Sequence, residues 1–377
     1  MHSTNVTPSL LLSTRSRRRR RLAAGLGRAV LFGVTAVSAG AVILIIGFIV
    51  RDAAPFVRLC GVREFFCSTQ WYPAGTPAAF GALAIFYGTA LVTVSAALIA
   101  VPVGIAAAVC LSEMLPFGAR QAVKPVVEIL AAIPSVVYGF FALVVVAPLL
   151  QTHGNYLLAG LVVIVGIPLG GGVVLLTGTL LGRGAARRRG APTWLLGGVT
   201  AVVAALLLAA LWRCLQVQVD SGTNALNVAM ILAIMALPTI VSVAEDALQA
   251  VGRDLREGSY ALGASRAQTT LHVVLPAATS GLIAAIILGV MRAVGETMVV
   301  WMASGNAAQI PAPWFNLMAP VRTLTATIAG DMGEADQVTG SARYHVLFFM
   351  ALCLLLIALI CNIVSEIVIW RKHKALG

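Results

Sequence analysis

Apolar residues are not scattered along this chain of 377 residues; they gather into long blocks separated by short polar stretches that hold nearly all of the charge. Eight blocks stand out, near 25–50, 81–108, 127–150, 157–181, 194–215, 225–248, 277–303 and 346–370. Several pass the roughly 18 apolar residues at which a bilayer-spanning helix becomes the expected element. Hydrocarbon offers no water to the backbone, so a helix, which satisfies its own N–H and C=O groups, is what each block predicts. The expected fold class is all-α: a polytopic membrane protein with about eight transmembrane helices. Neither heptads nor a repeat of fixed period runs through the blocks.

Composition agrees, at 59% hydrophobic and 11% charged, against about 25% charged for a soluble domain. The formal charge of +12 would suit nucleic acid only if it formed a soluble basic face with aromatics nearby, and no segment supplies one. Instead the charge lies in clusters: Arg15–Arg21, then Arg183 with Arg187–Arg189, then Arg253, Arg256 and Arg266, and last Arg371, Lys372 and Lys374. Each flanks an apolar block, as expected of loops held in the cytoplasm. With Arg15–Arg21 inside, alternation puts the loops near 109–126, 182–193 and 249–276 inside, together with both termini. Of the 26 lysines and arginines, only Arg51, Arg58, Arg63, Arg213, Arg322 and Arg343 then fall outside, and Arg292 lies within a span.

The resulting division is a basic cytoplasmic tail, 1–24; a first anchor, 25–50; an external loop, 51–80; a transmembrane domain, 81–370; and a cytoplasmic tail, 371–377. Residues 25–50 are too long for the roughly 7–15-residue core of a cleaved signal, so an uncleaved span is expected. The external loops 51–80 and 304–345 hold Pro, Trp and Gly and are expected to be ordered. Cys60 and Cys67 share the first of them, where a disulfide is open. No spacing suggests a metal, no cofactor is expected in this chain, and no GxSxG or His/Asp/Glu cluster inside the spans supports an intramembrane enzyme.

Two segments carry candidate chemistry. In the span near 277–303, Arg292 and Glu296 stand four residues apart, on one face of a continuous helix. An arginine at bilayer depth costs roughly 2.5–17 kcal/mol depending on the reference, so it needs a partner or a watery path. Either the two form a structural pair, or Arg292 presents its planar, permanent charge to an oxyanion while Glu296 orients it and limits its grip. The second segment, Arg253–Pro276, places Gly263 six residues after Glu257, and Val273, Leu275 and Pro276 beyond. Two short helices broken at Gly263 would make an elbow there, with Pro276 in the first turn of the next span. The alternative is an ordinary solvated loop.

The second segment resembles the Glu-Ala-Ala…Gly…Ile-x-Leu-Pro loop of ABC-importer permeases, with Gly258 and Ser259 in place of the alanines and Val273 in place of isoleucine. Four stretches are more specific. Arg292–Met298 (RAVGETM), Ala131–Leu150 (AAIPSVVYGFFALVVVAPLL), Leu237–Leu248 (LPTIVSVAEDAL) and Thr339–Phe348 (TGSARYHVLF) are similar to segments of PstC-type phosphate permeases. Together these matches cover about 80–150 and 225–370.

The resemblance implies a MetI-like permease core that moves phosphate by alternating access. Arg292 and Glu296 would act in translocation, and Ser135, Tyr138, Thr239 and Ser242 would offer neutral hydrogen bonds, unless they serve as helix-to-helix glue. Glu296 could also accept the proton of hydrogen phosphate, which sulfate lacks. Glu257, Gly263, Ala264, Leu275 and Pro276, with the neighbouring arginines, would couple to an ATP-binding subunit present in two copies. The implied partners are a PstA-like second permease, a periplasmic phosphate-binding protein and the bilayer of a bacterial inner membrane. Energy must come from that ATPase, because Lys124, Lys372 and Lys374 sit in no phosphate-binding loop. About 70 residues depart from the family's pattern, so 157–215 is expected to be an inserted two-helix hairpin that either packs peripherally or binds lipid headgroups through Arg187–Arg189. Transport of another oxyanion or of a small solute, or a signalling role reporting binding-protein occupancy, are the alternatives.

Overall fold

The computed structural model describes residues 14–59, 61–185, 193–335 and 341–376; Cys60, Arg187–Arg189 and most of the N-terminal tail lie outside them. Apart from one two-stranded hairpin, the regular secondary structure of the described chain is helical. In order, α1 is Thr14–Leu59, α2 Val62–Cys67, β1 Trp71–Tyr72, β2 Ala79–Phe80, α3 Leu83–Val109, α4 Phe117–Ala132 and α5 Ser135–Phe141. Next come α6 (Ala147–Ala185), α7 (Thr193–Leu215), α8 (Ala225–Gln249), α9 (Arg253–Ala261), α10 (Arg266–Thr269), α11 (Leu275–Ala277) and α12 (Thr279–Val294). The last three are α13 (Met298–Ala303), α14 (Leu324–Met332) and α15 (Ala342–Leu376).

Among the described residues six helices are long and apolar enough to cross a membrane, or seven if the bent pair Arg266–Ala277 and Thr279–Val294 is one span. The difference from eight lies in Ser135–Leu175, where 41 residues count once. At 1.5 Å per residue this segment would be about 60 Å long if straight, twice the roughly 30 Å of a bilayer core. It is not straight, because His153 leaves helical geometry at φ −131° and ψ 24°. On one side of that bend Ala147 meets Gly222, and on the other Gly154 meets Val219. Farther along, Gly166 and Gly170 lie against Leu207 and Val203 of α7. Both arms therefore lead away from the loop after α7, and two expected blocks share one bent helix.

The core forms around α8, whose apolar window is 67% buried. Ile240 of α8 fits against Gly104 of α3 and Gly289 of α12, where an added Cβ would meet it at 2.7 and 2.4 Å. Backbones that approach this closely pack by van der Waals contact, the main attraction between helices where lipid is as apolar as the side chains. At the end of the bundle holding the N-terminus of α3, Phe56, Phe65, Phe80 and Phe349 interlock edge to face or tilted. The antiparallel β1–β2 hairpin pairs Trp71 with Phe80 over them. We call this the hairpin end; α9 and α10 mark the opposite, elbow end. The expected order of loops 51–80 and 304–345 is observed in α2, the hairpin and α14.

Candidate functional site: two helix breaks and an elbow

The first break lies between α4 and α5. Pro134 has no N–H to give and forces the preceding residue out of helical geometry; Ile133 and Pro134 have ψ of 127° and 140°. The carbonyl that a residue at 134 would normally bond is that of Leu130, and the Tyr138 hydroxyl donates to it instead, at 2.9 Å. Tyr138 is thus a prop for the break, with its oxygen still able to accept a bond. The carbonyl of Ala142 is likewise taken, by Asn227 Nδ2 of α8 at 3.0 Å.

The second break corrects the expected Arg292–Glu296 pair. The helix ends at Val294 with Gly295 as its cap, so Glu296 lies beyond the last turn and the i,i+4 geometry is lost. Its Oε1 accepts from the backbone N–H groups of Thr297 and Met298, both at 3.1 Å, and caps α13. Its own carbonyl accepts from Thr325 Oγ1 of α14 at 2.7 Å, a residue that sequence reasoning missed. Among the described residues Arg292 has no ion-pair partner, and its Nε is buried without a hydrogen bond.

The two breaks adjoin. Tyr138 and Ala293 belong to one core cluster, and Arg292 is close enough to act electrostatically on Tyr138. A Cβ at Gly139 would lie 2.8 Å from Met302 Sδ and 3.2 Å from the Met298 carbonyl oxygen. Along α8, Ala142 faces Asn227 while Gly289 faces Ile240, so the junction lies opposite the middle of the helix. Ser135, Thr239 and Ser242 are half-buried. The hydroxyls of Thr89, Thr177, Thr200 and Thr279 bond back to carbonyls four residues earlier. Those of Ser135, Thr239 and Ser242 make no hydrogen bond among the described residues.

At the elbow, Gly263 has φ +82°, where only glycine is unstrained. Its N–H donates to the Tyr260 carbonyl and the N–H of Ala264 to that of Ser259, the pair of bonds that closes a helix at a left-handed glycine. Ser265 then caps α10 in a reciprocal capping box with Gln268. The expected glycine-broken elbow is therefore present. Glu257 and Pro276 are exposed, while Ala264 and Leu275 are half-buried; Leu275 packs with Val274 against Leu248 and Leu282. Leu262 is 89% exposed at the tip.

Arg256 departs from the expectation that the local arginines face a partner. It turns inward, donating to the carbonyls of Leu248, at 2.7 Å, and Val251 and pairing with Glu113 at 2.8 Å. A second charge cluster, unseen in the sequence, adjoins it. Glu245 is 1% exposed, with Lys124 Nζ at 3.1 Å, Arg120 Nε at 3.5 Å and Gln249 Nε2 at 2.5 Å. Arg120 also donates to the carbonyls of Leu111 and Ser112, at 2.8 and 2.5 Å. The available signal was Arg120 and Lys124 one helical turn apart, and a carboxylate ending an apolar span.

These features define a class, a multi-pass helical membrane component whose interior polar groups gather at helix breaks and which presents a short two-helix elbow at one end. Known proteins narrow it. The profile of the family "binding-protein-dependent transport system inner membrane component" matches residues 100–371. A probable ABC transporter permease of Bacillus subtilis, YqgH, is 32% identical over 82% of this chain and 76% of its own length. Phosphate transport system permease proteins PstC of Mesorhizobium japonicum and Xylella fastidiosa are 34% and 32% identical, over 78% and 80% of this chain and 76% and 79% of theirs. The chain belongs to the family of binding-protein-dependent transport system inner membrane components.

Proposed function

We propose that the chain is the permease subunit of an ATP-driven importer that carries inorganic phosphate across the bacterial inner membrane by alternating access. The relatives named for phosphate transport support the cargo. The observation that carries the reading is Arg292, a charge near the middle of the bundle with no counter-ion among the described residues and a buried Nε without a partner among them. A guanidinium in that state suits a ligand oxyanion, to which it can offer two parallel donors. Ser135, Thr239 and Ser242 hold hydroxyls free for neutral contacts, and Tyr138 can accept from a protonated oxygen. Glu296 spends Oε1 on the α13 amides, which leaves Oε2 for the proton of hydrogen phosphate.

In this reading the elbow end is cytoplasmic, as are both termini. Glu257, Gly263 and Ala264, with Leu275 and Pro276 behind them, transmit the motion of two ATP-binding subunits that hydrolyse the nucleotide. A PstA-like permease completes the path, a periplasmic phosphate-binding protein loads it, and 157–215 is a hairpin added to the core. The partners must grip the inward- and outward-open states differently, since only differential affinity shifts a population.

The test is ATP-dependent uptake of radiolabelled phosphate by the reconstituted complex, with sulfate as competitor. Arg292→Gln should lower uptake about a hundredfold, the loss of one or two charge-assisted bonds of roughly 1.5–3 kcal/mol each. Wild-type uptake in that variant would defeat the assignment, and transport of sulfate without phosphate would redirect it to another oxyanion. Unchanged phosphate preference in Glu296→Gln would remove the carboxylate from the account of selectivity.

A further inference from the structure

The hairpin end holds a second under-used arginine. Arg322 lines a cleft of about 530 Å³ whose other walls include Gln70, Trp71, Tyr72 and Gln309. Its Nη2 donates to Asp331 Oδ1 at 2.6 Å, and Trp71 Nε1 donates to Oδ2 at 3.2 Å. Both oxygens of that carboxylate are engaged, it is 7% exposed, and among the described residues no carboxylate lines the cleft. A guanidinium has five N–H donors, and the Nε of Arg322 is buried without a partner, as at Arg292. An unsatisfied buried donor in a native fold calls for an explanation such as a water or an ion.

Position adds a second reason. Arg322 directly precedes Thr323, which caps α14, and Thr325 reaches the Glu296 carbonyl at the second break. Three residues of chain thus lead from the cleft to the junction that holds Arg292.

We propose that this cleft is an entry subsite for an oxyanion, in which Arg322 and the neutral donors of Gln70 and Tyr72 hold phosphate before it reaches Arg292. The proposal rests on the function proposed above, in which the hairpin end is the outer one. Asp331 offsets the charge of Arg322, so the hold is weak. Weak holding suits entry, since a conducting site must release what it captures.

The test uses the full complex in nanodiscs, with native cysteines replaced and Thr69→Cys placed on the rim of the cleft. The rate of modification by a charged thiol reagent is followed as inorganic phosphate is raised, with chloride at equal ionic strength as control. At ten times the dissociation constant the rate should fall about tenfold. The protection should persist in an Arg292→Gln background. It should vanish in Arg322→Gln/Asp331→Asn, which removes both charges together and strands neither, and weaken in Arg322→Lys. No protection in the parent chain overturns the subsite. So does protection lost in Arg292→Gln but kept in the double variant, and so does blocking by a phosphate-free binding protein where phosphate has no effect. Uptake by the parent complex is measured alongside, so a wrong cargo and a wrong entry site fail in different assays.

Discussion

Replacing Glu245 by glutamine and replacing its two cations by methionine both remove the ion pairs of Glu245, the second variant losing Lys124–Asp246 as well, yet the structure separates their costs. In Glu245→Gln, Arg120 and Lys124 lose their anion, but their side chains are 22% and 36% exposed and can rehydrate. Arg120 keeps its two carbonyl bonds, and Lys124 keeps Asp246 at 3.5 Å. The expected loss is about 1–2 kcal/mol. In Arg120→Met/Lys124→Met, the carboxylate stays 1% exposed with only Gln249 to bond, and a stranded buried charge costs about 3–5 kcal/mol. At roughly 2–4 °C per kcal/mol for a chain of this order of size, the thermal midpoint of the purified protein should fall by about 2–8 °C in the first variant and 6–20 °C in the second. The hydrogen bond to Glu245 raises the pKa of Lys124 above its ordinary 10.5. Its stabilising contribution is complete below that value and is lost only as pH rises through the raised one. The gap between parent and Glu245→Gln should therefore stay constant from about pH 6 to pH 9. A Glu245→Gln midpoint as low as that of the double variant would refute the argument from burial.

Three further outcomes are expected. Tyr138→Phe strands the Leu130 carbonyl that Pro134 leaves open, a loss of about 1–3 kcal/mol; a thermal midpoint equal to that of the parent would mean another donor reaches it. Gly263→Ala forces a Cβ onto φ +82° at about 1–2 kcal/mol, whereas asparagine is better tolerated there. On the proposed function, transport-coupled ATPase activity of the complex should fall in the order Gly, Asn, Ala, and an alanine variant equal to the parent would remove the strain from the account. Gly139→Leu should separate α5 from α13, since the Met298 carbonyl facing it is backbone and cannot step aside, at roughly 1–3 kcal/mol. A disulfide between cysteines engineered into α5 and α13 should then form more slowly, and an unchanged rate would contradict the close contact.

What the sequence disclosed was local. The apolar blocks and the elbow at Gly263 each follow from a few neighbouring residues, because hydropathy is summed along one stretch of chain and a positive φ acts within one turn. The Arg292–Glu296 pair failed for a related reason. Four-residue spacing implies contact only along an unbroken helix, and Gly295, lying between them, is the residue that ends it. A loop arginine usually faces outward, but Arg256 turns in because the carbonyls of Leu248 and Val251, at and just past the end of α8, and the Glu113 carboxylate accept its donors. Other features were beyond local reading. Trp71 and Asp331 are 260 residues apart, and the Glu245 cluster joins α4 to α8 through a fold that no single segment encodes. His153 bends an apolar run without a proline at that position, so one helix holds what the hydropathy divides in two.

The charges at the elbow end explain how a movement there could reach Arg292 some distance away. Arg256 ties α9 to the last carbonyls of α8 and to Glu113; Arg120 ties α4 to the end of the α3 segment and to Glu245. Four chain segments thus meet in one set of charge-assisted bonds, stronger than neutral ones and fixed in direction. From this set α4 runs to the break at Pro134, beside Tyr138, while on the other side α11 bends into α12 by 70° and ends at Arg292. Helical ladders between these points resist bending, so displacement is expected to concentrate where the ladder is interrupted, at Pro134, Ala278 and Gly295. Two of those three interruptions adjoin the unpaired guanidinium. On the proposed function, a pull on the elbow would move the two walls of the anion's surroundings relative to each other, while the Glu296 carboxylate stays fastened to α13. The central helix α8 need not shift much for Arg292 to gain or lose its oxyanion, because α12, which carries it, is interrupted at both ends and α5, which faces it, is interrupted at Pro134.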